Sequence, residues 1–123
     1  MPYKISYDEN EEIVGIHFYG IDTRDEHFSA LAEAYKLCSK YNCKKLLVDL
    51  RELKIKPKER SVIGCFDFGE SVSKKMLGFK IAHVLPDIAS ELKDIKFISN
   101  VEFNRGVDSQ EFFNVEDALK WLK

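Results

Sequence analysis

The run Leu46-Leu47-Val48-Asp49-Leu50 limits what this chain can fold into more than any other segment. A short, nearly unbroken apolar run suits a strand buried on at least one face. On either side of it the apolar period changes from two to about four and back. Tyr3, Ile5 and Tyr7 alternate with polar residues, and an acidic turn, Asp8-Glu9-Asn10-Glu11-Glu12, separates them from a second β-rich run at 13–19. The two runs read as a hairpin that closes at Gly20. Thr23 and Glu26 have capping-box spacing. Phe28, Leu31, Tyr35, Cys38 and Tyr41 then recur at three- and four-residue steps, the stripe of an amphipathic helix.

After the central run, residues 51–60 are polar and basic and read as a loop. Pro57 offers a start for a helix with a stripe of Val62, Phe66, Gly69, Val72 and Met76. Gly78 ends it, and 79–85 reads as another buried strand. Ile88, Leu92, Ile95, Ile98 and Val101 keep helical spacing up to Gly106, and 107–113 supplies a last strand. Asn114 and Asp117 cap a final helix carrying Val115, Ala118, Leu119, Trp121 and Leu122. The order ββαβαβαβα calls for an α/β fold, a mixed and mostly parallel five-stranded sheet with right-handed crossovers. With no linker or repeat, 1–123 is expected to be one domain.

This succession resembles the STAS domain, the fold of anti-sigma-factor antagonists and of the C-terminal domains of sulfate transporters. The resemblance rests on the N-terminal hairpin, on the central strand with its terminal Asp49-Leu50, and on the closing stretch in which Phe113 precedes Ala118, Trp121 and Leu122. It implies a STAS-like βα superhelix with helices mainly on one face, in a divergent bacterial relative, and a part in signal transduction. Phosphorylatable STAS domains place a serine-rich motif after the Asp-Leu strand end. Here that stretch reads Arg51-Glu52-Leu53-Lys54-Ile55-Lys56-Pro57-Lys58-Glu59-Arg60, with no hydroxyl until Ser61. Ser61 is a weak candidate for phosphorylation and a better one for a helix cap.

Charge and composition exclude several classes. Nineteen Lys+Arg against 21 Asp+Glu leave a net charge of −2, so no global field favours nucleic acid. No apolar run approaches the roughly 20 residues of a membrane span, and the N-terminus has no signal-peptide character, so a cytoplasmic location is expected. Three scattered cysteines and His17, His27 and His83 lack paired metal-ligand spacing, so no metal and no cofactor is expected.

Three readings of function remain. The first is a non-enzymatic regulatory or protein-interaction module with another protein as partner. It would act through Asp49, Arg51, Lys54, Lys56, Lys58, Arg60 and Ser61, in and just beyond a stretch (44–60) where seven basic residues face three acidic ones. The second is a binder of a small amphiphile or nucleotide in a cavity between sheet and helices, walled by Phe66, Phe68, Phe79 and Phe97. The third is an enzyme using strand-end carboxylates, Asp22, Asp49 and Asp87. If one sheet face stays open, Ile13, His17 and Tyr19 can form a pocket wall or a subunit contact, which leaves room for a homodimer. Otherwise His17 and His83 are hydrogen-bonded structural histidines.

Overall fold

Strands pair in chain order in the computed structural model. It describes residues 3–22, 24–55, 74, 77–85 and 108–123, with the backbone alone at 20–22, 24–28 and 53–55. Five strands, β1 (Tyr3–Asp8), β2 (Ile13–Asp22), β3 (Lys45–Ile55), β4 (Lys80–Val84) and β5 (Asp108–Phe112), form one sheet in the order β1-β2-β3-β4-β5. β1 runs antiparallel to β2, and every later pair is parallel. Helix α1 (Arg24–Lys40) lies between β2 and β3, and α2 (Val115–Leu122) follows β5. The mixed α/β sheet read from the sequence is therefore present. Apart from Lys74, which is helical, the helices expected over 62–76 and 88–101 lie outside the described residues, as do Thr23, the predicted cap of α1, and the side chain of Glu26.

Alternation along the strands divides the core into two layers. Val14, Ile16 and Phe18 of β2, Leu46, Val48 and Leu50 of β3, and Ile81 of β4 face α1, where they bury Ala30, Leu31, Ala34 and Cys38. On the opposite face Ile13, Leu47, Ala82 and Val84 pack with Ala118, Leu122 and Trp121 of α2. The two described helices thus cover opposite faces, where the resemblance implied helices mainly on one, because β2, β3 and β4 carry apolar side chains on both sides of the sheet. The central run at 46–50 is apolar at successive positions because both of its faces are covered.

Three local devices set the connections. Asp8 Oδ1 accepts the backbone N–H groups of Asn10 and Glu11 at 3.0 and 3.2 Å, and Glu12 takes a positive φ of 56°, which turns the hairpin. At the end of α1, Asn42 (φ 50°) closes a Schellman turn. The Cys43 N–H donates to the Cys38 carbonyl at 2.8 Å and the Asn42 N–H to that of Ser39 at 3.4 Å. The Asn114 side chain caps α2 as expected, its Oδ1 accepting the Asp117 N–H at 2.8 Å.

Two expectations need correction. The buried stripe of α1 centres on Ala30, Leu31, Ala34 and Cys38, while Tyr35 and Tyr41 remain about 40% exposed. Small side chains let the helix lie close to the sheet. The tyrosines flank that contact, stacking on Phe79 and Tyr7 respectively. The second correction concerns residues 51–55, which continue β3 instead of starting a loop. Leu53 and Ile55 alternate with Glu52 and Lys54, and the segment pairs with residues 19–22 of β2.

Candidate functional site

A break in register between β2 and β3 organises the candidate site. His17 pairs with Asp49 and Tyr19 with Glu52, so Leu50 and Arg51 together oppose the single residue Phe18. The local sequence explains this β-bulge. The Asp49 carboxylate accepts three hydrogen bonds from Arg51: Oδ1 from the backbone N–H at 3.2 Å and from Nε at 2.9 Å, and Oδ2 from Nη2 at 2.8 Å. An aspartate that bonds the backbone two residues on bends the strand there, and the two-pronged guanidinium contact fixes the bend.

Asp49 is the buried partner, with a side chain 12% exposed against 50% for Arg51. Burial alone raises the Asp49 pKa, but the hydrogen bonds and charge of Arg51, aided by His17, outweigh it and hold the carboxyl below the usual aspartate range. The same pairing raises the Arg51 pKa. Beside this pair His17 Nε2 lies 3.2 Å from Glu52 Oε2, and the Tyr19 ring meets the His17 ring edge-on with centroids 5.8 Å apart. Lys4 of β1 is the cross-strand partner of His17 and is exposed. Helix α2 packs mainly on β3, β4 and β5, so Lys4, His17 and Tyr19 stay at the surface of its face. A patch of both charge signs around an exposed tyrosine results, with one ion pair anchored in the sheet.

Asp49 and Arg51 are thus brought together as a unit, and Lys54 stands in β3 opposite Ile21 with only its backbone described. Lys56, Lys58, Arg60 and Ser61 lie outside the described residues, as do Asp87, Phe66, Phe68 and Phe97. Phe79 belongs to the α1 core. The strand-end grouping of carboxylates is corrected: Asp49 sits within β3, level with His17, whereas Asp22 is level with Ile55. Five residues of strand put those two levels about 16 Å apart along the sheet, too far for one cation to bridge the two residues.

Glu52 and Lys4 were not legible as members of the patch, and their only signal was the period-two pattern that carries β3 past Leu50. His83, as expected of a structural histidine, is buried, with Nδ1 3.3 Å from Ser109 Oγ and Glu111 as its cross-strand neighbour. The Schellman turn also brings Cys38 and Cys43 together as free thiols in the α1 core, and Cys43 Sγ donates to the Glu12 carbonyl at 3.0 Å. Burial, with Cys43 adding to it, pushes the Cys38 thiol up to about 12, so it is held as an unreactive packing group. Among the described residues no helix is long and apolar enough to cross a membrane.

Solved structures share this architecture over nearly the whole chain. The anti-sigma factor antagonist SpoIIAA in its unphosphorylated form superposes with a TM-score of 0.59 at 10% identity, covering 97% of this chain and 96% of that one. A protein of the DUF3478 family from Shewanella loihica PV-4, described as having a SpoIIAA-like fold, gives 0.56 at 17% identity, covering 98% and 92%. No protein-family model matches the sequence, and no curated protein matches it. The chain therefore has the SpoIIAA-like fold that its strand and helix order resembles, shared at identities that speak to fold alone.

Proposed function

We propose that this chain is a non-enzymatic regulatory module of SpoIIAA-like fold that works by binding another protein, in the cytoplasm. The observation that carries this reading is the bulged surface of β2 and β3. There the buried Asp49 pins Arg51, and His17, Tyr19 and Glu52 stand beside it on a face that α2 leaves open. A rigid backbone bearing a half-exposed arginine, an exposed tyrosine and paired charges has the composition of a protein-contact surface, in which tyrosine and arginine supply most of the binding energy. The basic residues Lys54, Lys56, Lys58 and Arg60 continue from it along the chain and would favour a partner with acidic character.

Its regulation would differ from that of the phosphorylatable STAS domains. The stretch after Asp49-Leu50 continues as β3 with charged residues where those domains carry the acceptor serine, and Ser61 comes several residues late. Partner binding would accordingly be controlled by something other than a serine at that strand end.

A photo-crosslinking amino acid at position 19, expressed in the source organism, tests the reading. The expected result is one discrete protein adduct, absent when the crosslinker sits at the exposed position 36 of α1 and weakened by Arg51→Glu. Absence of an adduct at 19, or the same adducts from both positions, would overturn it.

A further inference from the structure

Strand β1 is one of the two edges of the sheet, and among the described residues no strand pairs with its outer side. Exposed edges invite pairing with another chain, and a lone charged residue on such a strand commonly prevents it. Lys4 is a candidate for that role, but Asp8 stands on the same face of the strand, and both are exposed. Their spacing changes the outcome for one particular partner.

We infer that β1 is a self-association edge, pairing antiparallel with β1 of a second copy about a two-fold axis through Ser6. A two-fold axis perpendicular to the sheet keeps each residue on its own face, so only registers that pair even with even and odd with odd positions are allowed. Centring on Lys4 or on Asp8 sets like charges against each other. Centring on Ile5 sets Lys4 opposite Ser6, and centring on Tyr7 sets Asp8 there. Centring on Ser6 alone places Lys4 opposite the partner subunit's Asp8, twice per dimer, a favourable cross-strand pair.

The other face agrees with that register. Ile5 and Tyr7 are half-buried on the α1 side and would pair reciprocally across the axis. There they line an open groove of about 760 Å³ between β1 and the end of α1, with Leu37 and Tyr41 on one side and the polar residues Ser6, Asp8, Glu9 and Asn10 along the strand and its turn. Tyr7 and Tyr41 stack with centroids 3.9 Å apart and rings 5° from parallel, a flat aromatic wall beside the edge. A second β1 brings its own Ile5 and Tyr7 against this wall, so one occupant satisfies the charges on one face and extends the contacts of Ile5, Tyr7 and Leu37 on the other. The inference rests on the outer edge of β1, whereas the heterologous contact proposed above centres on His17 and Tyr19 of β2 and on Arg51 and Glu52 of β3; Lys4, the cross-strand neighbour of His17, borders both.

Sedimentation of the full chain from micromolar to millimolar concentration is the experiment. A reversible dimer is expected, and Lys4→Glu and Asp8→Lys should each weaken it about tenfold or more, since each turns two attractive pairs into two repulsive ones. Mixing those two variants restores attraction in the heterodimer. The introduced glutamate of one chain then meets the introduced lysine of the other, and the unchanged Lys4 meets the unchanged Asp8. Recovery of dimer in the mixture separates the pairing from any misfolding of the Asp8 variant. In parallel, Ser6→Cys should give a disulfide-linked dimer through position 6 under mild oxidation, and Lys36→Cys should not. A wild-type chain that stays monomeric at millimolar concentration would overturn the inference. So would a dimer indifferent to Lys4→Glu and not linked through position 6.

Discussion

Asp49 is the residue whose behaviour most depends on one neighbour. Its carboxyl is held below the ordinary aspartate range in the folded state, so the stabilisation is complete above about pH 4 and is lost as pH falls through the lowered folded value. In urea unfolding, Asp49→Asn is expected to flatten the decline in stability below pH 4 that the wild type shows. Arg51→Ala leaves a buried carboxylate without its partner and should cost about 1–3 kcal/mol at pH 7, towards the lower end because Arg51 is half exposed. In that variant burial is no longer outweighed, and an NMR titration should find the Asp49 pKa raised. Cys38 makes the opposite kind of prediction. With its thiol pushed up to about 12, it should resist iodoacetamide at pH 8 in the native protein and react once urea unfolds the chain.

At the scale of elements, stability turns on where helices end. Asn42 holds a left-handed conformation at the close of α1, which glycine adopts without a Cβ penalty. Asn42→Gly should therefore be neutral or stabilising, by up to about 1 kcal/mol, and Asn42→Val destabilising, as thermal unfolding can show. Asn114→Ala removes the cap of α2 and should cost about 1 kcal/mol by the same measurement. The Asn114 cap was readable because a cap depends on residues three apart. The Schellman turn and the Asp49–Arg51 bulge also use neighbours in sequence, yet neither was anticipated. An aspartate two residues before an arginine bonds in this way only once a strand holds both on one side.

For the molecule as a whole, β2, β3 and β4 belong to both core layers, one facing α1 and the other facing α2. We expect the layers to unfold together. The single tryptophan, Trp121, reports on α2 and far-ultraviolet circular dichroism on all helices, so their urea transitions should coincide. Leu122 is fully buried beneath α2, and Leu122→Ala should cost about 2–5 kcal/mol and shift both signals equally. Lys80 ties this helix to the sheet, its Nζ lying 4.4 Å from the Trp121 ring centroid and donating to the Trp121 carbonyl.

By itself the sequence determined the elements whose signals are local: the acidic hairpin turn, the central run at 46–50, the cap at Asn114 and the alternation of strand with helix. Those follow from backbone preferences and apolar periodicity, which act over a few residues. The register in which the strands pair, where β3 ends, and which side chains share a surface were decided only by tertiary structure. Pairing register is a long-range property: the segment 51–55 is a strand because 19–22 lies alongside to bond it. The same register separates Asp22 from Asp49 and brings His17 to Glu52. The run at 46–50 announced a buried strand, and the sheet around it decided that its aspartate would face Arg51.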